Sequence, residues 1–307
     1  MKRTRATLGA VIVAATLAVT ACGNSNPTAT GPTGSGSKAS ASSIVVGSAN
    51  FPENVLLAEI YAEALKAKGV KVSTKLNIGS REAYIPGLKD GSIDLIPEYS
   101  GVLLQFFDKQ ATAVSSTDVF AALKTAVPST LTVLEQSQAE DKDAIVVNSA
   151  TAAKYHLKSI ADLAPVASKL ALGGPPEFKT RPDGVPGLKK NYGVTFGSYR
   201  TLDTGGPLTI SALKSGRVEA GDVFTTDPAI TKNNLVVLDD PKFNFAAQNV
   251  LPLVNKAKAS STVTSALNAV SAKLDTKTLI DLLTKVVADK QDPVAVAKAW
   301  LASAGLG

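Results

Sequence analysis

The chain has 307 residues, of which 45% are hydrophobic and 19% are charged, a composition that suits one large or two ordinary folded domains. Its formal net charge is +6, and removal of Lys2, Arg3 and Arg5 with an N-terminal leader would leave 6 − 3, or about +3. So mild a charge argues against a nucleic-acid-binding protein, and no nucleic acid is expected among its partners.

Residues 1–21 have the pattern of a secretory signal peptide. A basic start is followed by an apolar run over residues 6–19 that contains no acidic residue. This run is shorter than the about 20 apolar residues that a membrane-crossing helix needs. Residues 19–22 read Val-Thr-Ala-Cys and resemble the lipobox of bacterial lipoproteins, which implies cleavage before Cys22 and acylation of that residue.

Residues 22–43 form the predicted acylated cysteine and flexible tether. Cys22 is the only cysteine, so no intramolecular disulfide can form. The residues after it are Gly, Ser, Thr, Ala, Asn and Pro with the single charged residue Lys38, a composition typical of a flexible linker. Acyl chains contribute about 0.8 kcal/mol per buried methylene, so several chains hold a protein stably. The predicted location is the extracytoplasmic face of the cell membrane, through this lipid anchor.

A βαβ pattern follows the tether. In chain order it predicts a strand over 44–47, a helix from Pro52 to Gly69, a strand over 70–76, a helix over 81–90 and a strand over 93–96. Asn50 is placed to cap the first helix, and Glu59 lies on its predicted polar face. Alternating strands and helices indicate an α/β sheet with helices on its faces. Helices are also predicted over 265–274, over 276–290 and from Pro293, with Asp292 as the cap of the last.

An internal repeat indicates two similar lobes. Leu88-Lys89-Asp90-Gly91-Ser92-Ile93-Asp94 recurs as Leu213-Lys214-Ser215-Gly216-Arg217-Val218-Glu219. Each copy predicts a helix end, a glycine cap and the start of a strand, and each is followed by a polar and aromatic turn, at 98–101 and 224–227. Ligands of open α/β sheets bind beyond the carboxyl ends of the strands, so both turns are expected to face a cleft.

Histidine and cysteine, which several common catalytic sites need, are nearly absent from the sequence, whereas the sequence leaves catalysis by paired carboxylates open without singling out a pair. His156 is the only histidine and lies in a predicted exposed helix end, so a Ser-His-Asp or Cys-His site has no other candidate base. With Cys22 acylated, no His and Cys metal cluster is expected, and no nucleotide-binding glycine motif occurs. We therefore expect no enzyme activity, no cofactor and no metal.

Four segments carry a family resemblance: Gly79-Ser80-Arg81, Gly91-Ser92-Ile93-Asp94-Leu95-Ile96-Pro97-Glu98-Tyr99-Ser100-Gly101, Arg181-Pro182-Asp183-Gly184 and Thr225-Thr226-Asp227. They resemble the glycine betaine/choline-type (osmoprotectant) substrate-binding lipoproteins of ABC importers. The resemblance implies a periplasmic-binding-protein-like (type II) fold of class α/β, with two α/β lobes joined by a two-strand hinge and a ligand cleft between them. Lobe 1 is expected over 44–140 plus 250–307 and lobe 2 over 141–249, with hinge segments near 139–142 and 248–251.

The resemblance also implies the site and the partners. In such proteins a quaternary ammonium group sits among aromatic rings. Tyr99 matches one such tyrosine, Phe224 falls where another is expected, and Arg181 matches an arginine that reaches the cleft. The full set of predicted ligand-binding residues is Phe51, Tyr99, Asp141, Asp143, Arg181, Phe224, Thr225 and Gln248. The protein is expected to be a monomer that passes a small molecule to an ABC permease and its ATPase subunit.

Two ring positions of the family pattern are missing here, because Asp143 and Gln248 stand where aromatic residues are expected. At about 0.5–2 kcal/mol per ring, the two losses weaken cation binding by about 1–4 kcal/mol. Glycine betaine or a related osmolyte is the leading ligand. The alternatives are a different polar or hydroxylated ligand, sugar-like or phenolic, bound through Asp141 and Asp143, and a non-transport sensory protein of the envelope.

Overall fold

Two five-stranded sheets organise residues 43–307, the part of the chain that this computed structural model describes. The predicted signal peptide over 1–21, the lipidation residue Cys22 and almost all of the predicted tether lie outside the described residues. Within the described part, every helix is too short or too polar to cross a membrane.

The secondary structure of the described residues alternates between strands and helices. The strands are β1 (Ile44–Gly47), β2 (Val72–Lys75), β3 (Leu95–Tyr99), β4 (Leu131–Val133), β5 (Asp143–Asn148), β6 (Ala171–Gly174), β7 (Ser198–Thr201), β8 (Ala220–Phe224), β9 (Leu235–Val237) and β10 (Val250–Asn255). The α-helices are α1 (Pro52–Ala67), α2 (Arg81–Asp90), α3 (Ser100–Phe107), α4 (Ser116–Ala126), α5 (Ser149–Tyr155), α6 (Val185–Tyr192), α7 (Pro207–Lys214), α8 (Ala229–Lys232), α9 (Ser261–Ser271), α10 (Thr276–Val287) and α11 (Pro293–Ser303).

The two sheets have the same topology. Their strand orders are β2-β1-β3-β10-β4 and β7-β6-β8-β5-β9. In each sheet the first three strands are parallel and the last two pairings are antiparallel. The predicted α/β fold with two similar lobes is therefore confirmed. We call the lobe that contains β1 the first lobe and the lobe that contains β8 the second lobe.

The sequence repeat occupies equivalent positions in the two sheets. Gly91 follows α2 at φ 79° and Gly216 follows α7 at φ 67°, a left-handed conformation in which glycine has no steric penalty. Four residues later each chain segment enters a five-residue strand, β3 or β8. These strands end at Tyr99 and Phe224, so the repeat places one aromatic residue at the carboxyl end of a strand in each lobe.

Two antiparallel segments cross between the sheets. The backbone N–H of Asp141 donates to the carbonyl of Gln248 at 3.1 Å, and that of Val250 donates to the carbonyl of Ala139 at 3.0 Å. A further isolated bridge joins Glu140 and Asn249. These are the segments in which the sequence predicts the hinge. The predicted lobe limits, 44–140 plus 250–307 and 141–249, stay a prediction.

Helices cover both faces of the first sheet with apolar side chains. One core cluster joins α1, α9, α10 and α11 to the sheet, and a second joins α2, α3 and α4 to the other face. The strands of the first sheet therefore lie between two helical layers, which explains why β3 and β10 are buried along almost their whole length. The second sheet is likewise packed in two clusters, which fixes the strand ends that carry the site.

Several local predictions were wrong. Asn50 does not cap α1, because the helix starts at Pro52 and its N-cap is Phe51, one residue after Asn50; Asn54 accepts the N–H of Ala49 at 2.7 Å. Glu59 is only 5% exposed, and this burial raises the pKa of its carboxyl group. The strand predicted over 93–96 forms two residues later, and the helix predicted over 265–274 starts at Ser261.

Gly101→Ala is expected to destabilise the protein by about 1–3 kcal/mol, because it overpacks a backbone contact. A Cβ at this position would lie 2.6 Å from the backbone carbonyl oxygen of Ala247. Gly87→Ala is the control, since its closest neighbour, at 2.9 Å, is the Oγ of exposed Ser92, which can rotate away. Urea unfolding followed by circular dichroism measures both. Equal changes in the two variants would contradict the assigned contact.

Candidate ligand-binding site

Three aromatic rings meet where the carboxyl ends of β3 and β8 face each other. The ring centroid of Phe51, which precedes α1, lies 6.1 Å from that of Tyr99 and 4.9 Å from that of Phe224. Phe51 and Tyr99 belong to the first lobe and Phe224 to the second. The rings therefore form an aromatic contact between the lobes, at the strand ends where the sequence predicts the cleft.

Seven of the eight predicted site residues line one cavity of about 40 Å³ beside these rings. They are Phe51, Tyr99, Asp141, Asp143, Arg181, Phe224 and Gln248. Thr225 does not line this cavity. The residue is exposed, and its Oγ1 donates a hydrogen bond to Asp141 Oδ1 at 3.3 Å. Space of this size holds water but no larger guest, so a ligand requires the lobes or the rings to move apart.

A larger chamber of about 710 Å³ lies on the other side of the ring contact. Phe51, Phe224 and Thr204 line both spaces. The chamber is also lined by residues of α7 and α8 from the second lobe and by the end of α10 from the first lobe. Its volume is in the range typical of small-molecule sites, and the two phenylalanines separate it from the inner cavity.

Glu53 is a site residue that the sequence reading missed. It lies in the first turn of α1, is 2% exposed, and accepts hydrogen bonds from Tyr99 Oη at 2.8 Å and from Thr226 Oγ1 at 2.5 Å. The buried threonine of the motif is therefore Thr226 and not the predicted Thr225. Burial raises the pKa of Glu53. The signal available in the sequence was an acidic residue directly after Pro52.

The predicted acidic residues Asp141 and Asp143 are both buried. Asp141 accepts the N–H of Thr226 at 3.1 Å, and Asp143 accepts from Gln248 Nε2 at 3.2 Å. Burial and the adjacent charge of Glu53 raise the pKa of Asp141 well above its usual range. Two carboxyl groups buried beside each other disfavour both being charged at once.

A second buried network occupies the first lobe. Arg81 Nε and Nη2 donate to the two carboxylate oxygens of Glu98 at 2.8 and 2.7 Å, and Tyr84 Oη donates to Glu98 Oε1 at 2.7 Å. A bidentate pair of this kind has strong geometric specificity. Arg81 lines the cavity, and the Glu98 carboxylate balances the positive charge of its guanidinium group.

Arg181 spans the two lobes. Its Nη2 donates to Glu82 Oε2 at 3.1 Å and its Nε to Glu82 Oε1 at 3.4 Å, from the loop before α6 to the first turn of α2. Partial burial disfavours the charge of Glu82, but hydrogen bonds from Ser80 and Arg181 outweigh this and lower its pKa to about 2. In this conformation the arginine therefore acts as a latch at the rim of the cavity.

The chemistry of the site suits binding. Among residues 43–307, His, Cys, Asp and Glu side chains nowhere form a group of three or more placed to hold a metal ion. His156 is an exposed residue at the end of α5 and does not line the cavity. The cavity instead offers ring faces, carboxyl groups and amides, which recognise cations and hydrogen-bond donors.

Comparison with known proteins identifies the family. Residues 42–303 match the model of the substrate-binding domain of ABC-type glycine betaine transport systems. The chain belongs to this family. A substrate-binding domain of an ABC transport system works outside the cytoplasm with a small-molecule ligand and a permease, so the predicted function class is confirmed.

Relatives of this substrate-binding domain cover most of the chain. A glycine-betaine-binding protein of Pseudomonas aeruginosa is 28% identical over 279 residues, 86% of this chain and 88% of that protein. The glycine betaine-binding protein YehZ of Escherichia coli is 26% identical, over 86% of this chain and 92% of the relative. An ergothioneine transport permease and binding protein of Helicobacter pylori is 26% identical, over 86% of this chain and 48% of the relative.

Solved structures give the same fold. A glycine betaine/carnitine/choline ABC transporter structure has a TM-score of 0.68 at 22% identity, covering 86% of this chain and 99% of the other. The ligand-free structure of YehZ from Escherichia coli has a TM-score of 0.61 at 27% identity, covering 87% and 100%. The predicted periplasmic-binding-protein-like architecture is confirmed.

Arg181→Met is expected to favour separation of the lobes with little effect on unfolding. The pair with Glu82 is partly exposed, and such pairs are worth up to about 1 kcal/mol, or about fivefold in the closed-to-open ratio. Small-angle scattering of the ligand-free protein should show a larger radius of gyration. Lys277→Met is the control, because it breaks an exposed 2.6 Å pair with Asp281 inside α10. Equal radii for the two variants would argue against the latch.

Proposed function

We propose that this protein is the lipid-anchored receptor of an ABC importer, binds glycine betaine or a related small quaternary ammonium osmolyte between its lobes, and catalyses no reaction. Acylated Cys22 holds it on the extracytoplasmic face of the membrane, and the segment up to residue 43 lets the folded part reach the permease. It acts as a monomer, and the permease with its ATPase moves the released ligand inward.

The observation that carries this proposal is the ring contact of Phe51, Tyr99 and Phe224 beside buried carboxyl groups. Ring faces attract a cation that cannot donate hydrogen bonds, and carboxylates add a complementary charge. The ligands printed in the names of the bacterial relatives, glycine betaine above all, agree with this chemistry.

A hydroxylated or otherwise hydrogen-bonding ligand is a second candidate. It is favoured by Asp143 and Gln248, which occupy the predicted ring positions and are buried and bonded to each other. Such groups accept and donate hydrogen bonds, which a betaine headgroup does not use. One relative is named for ergothioneine and two for glycine betaine, so the relatives are named for more than one ligand.

Phe224→Ala is expected to weaken binding of quaternary ammonium ligands about 2- to 30-fold, the equivalent of one lost ring contact. Titration calorimetry with glycine betaine, choline and carnitine, and with a set of polyols, measures the affinities. Phe243→Ala is the matched control, since that ring is 58% exposed and lies outside the cavity lining. Absence of heat with every quaternary amine would reject the osmolyte, and heat with a polyol would favour the second candidate.

Replacement of Cys22 by Ser is expected to abolish incorporation of radiolabelled palmitate in the native host, because the acylated thiol is lost. The protein should then appear in the soluble extracytoplasmic fraction. Lys38→Ser, in the same tether, is the control and should leave labelling intact. Labelling that persists in the Cys22 variant would contradict lipidation at this residue.

A further inference from the structure

The inner cavity and the chamber are divided by two rings from different lobes. Phe51 and Phe224 line both spaces, together with Thr204, and their ring centroids are 4.9 Å apart. We call these two phenylalanines the gate rings. Phe51 precedes α1 in the first lobe, and Phe224 ends β8 in the second lobe. A movement that separates the lobes therefore also separates the gate rings, and it joins the inner cavity to the chamber.

The gate ring of the second lobe is held by its own lobe. Gly205 lines the chamber at φ 60°, and a Cβ there would lie 2.9 Å from Cδ2 of Phe224. Glycine adopts this left-handed conformation without penalty, which allows the backbone to lie against the ring. Phe224 is also directly opposite Asp143 in the pairing of β8 with β5. We therefore expect this ring to move with the second lobe when the lobes part.

The wall of the chamber is largely apolar and comes from both lobes. The second lobe contributes Ile210 of α7 and Pro228 before α8, and the first lobe contributes Leu283, Val286 and Val287 of α10. Ile210 and Leu283 are buried, and the two valines are half-buried. At about 710 Å³ the chamber has the volume of a small-molecule site, and a wall of this kind favours apolar groups that leave water.

The charged residues of the chamber set the direction in which a cation can bind. Glu53 and Asp227 follow the gate rings in the chain by two and three residues. Lys214, Lys232 and Lys290 complete the charged lining, and all three are exposed. Lysine ammonium groups repel a cation, whereas ring faces and carboxylates attract one. A cationic head is therefore favoured at the gate rings, which leaves the chamber for an uncharged part of the same ligand.

We propose that the ligand is an elongated quaternary ammonium compound, with its head among the rings of Phe51, Tyr99 and Phe224 and an uncharged alkyl tail that passes between the gate rings into the chamber. This inference rests on the proposed function, because it names the ligand class of the same site. A compact osmolyte uses only the rings. A tailed compound also buries methylene groups against α7 and α10, and each fully buried methylene increases affinity about fourfold.

Titration calorimetry with a chain-length series tests the tail chamber. The probes are the chlorides of tetramethyl-, butyltrimethyl-, hexyltrimethyl- and octyltrimethylammonium, used below the concentrations at which they form micelles. All four carry the same charge and offer no hydrogen-bond donor, so they differ only in the apolar tail. Affinity should rise about two- to fourfold for each methylene that enters the chamber, and the octyl compound should bind at least about 30-fold more tightly than tetramethylammonium.

Val287→Asp is the variant that tests the position of the tail. Val287 is half-buried, ends α10 and lines the chamber, so an aspartate there loses hydration when a tail covers it. The ratio of octyl to tetramethyl affinity should fall about tenfold or more. Val237→Asp is the matched control, because Val237 is 39% exposed and lies outside the lining of both spaces, and its ratio should equal that of the parent.

Val287 does not pack in the apolar core clusters, so Val287→Asp is expected to fold. If it does not, Val287→Thr keeps the shape of the side chain, adds one hydroxyl to the wall and should lower the same ratio about threefold. Because the result is a ratio of two affinities measured on one protein, an equal loss of folded protein in both titrations does not change it.

The outcomes separate the tail chamber from the receptor. Tetramethylammonium and octyltrimethylammonium binding with equal affinity would overturn the tail chamber and leave the quaternary ammonium receptor standing. A rise with chain length that is unchanged in Val287→Asp would also overturn it, since the tail would then lie elsewhere. No binding of any probe in the series would reject the quaternary ammonium receptor and, with it, the tail chamber.

Discussion

Glu53 joins the two lobes through one buried carboxyl group. Tyr99 of the first lobe and Thr226 of the second donate to its two oxygens, and Asp141 in the crossing segment completes the cluster. A buried polar group of this kind is costly unless every partner is present, which occurs only when the lobes are together. The hydrogen bonds of Glu53 therefore join the two lobes, and burial raises the pKa of both Glu53 and Asp141.

The repeated topology explains why the site has two halves. The same order of parallel and antiparallel strands occurs in both sheets, and the same helix, glycine and strand sequence leads into β3 and β8. Strands with equal roles end at Tyr99 and Phe224, so each lobe contributes one ring and one polar turn. Phe51, just before α1, contacts both rings. It lies outside the repeated segments, so the repeat does not predict its position.

How much of this could be read from the sequence follows from the range of each interaction. The helix over Arg81–Asp90 and the glycine caps depend on local chemistry and were predicted. The site roles of Tyr99 and Phe224 were predicted from the family resemblance. Glu53 was missed because its partners lie far along the chain, for example Thr226, which is 173 residues away. Such groups come together only in the folded protein, and the periodicity of the sequence does not predict contacts between residues so far apart.

The strength of the contacts between lobes sets how the receptor can work. The latch between Arg181 and Glu82 is partly exposed, so water and salt screen it and it contributes at most about 1 kcal/mol to closure. The ring contact also has to open, because Phe51 and Phe224 stand 4.9 Å apart beside a cavity of about 40 Å³. Both contacts are weak enough for a ligand's own binding energy to decide between open and closed lobes. A receptor that releases its ligand to a permease needs weak contacts between its lobes. If strong protein contacts alone held the lobes closed, the ligand could neither enter nor leave.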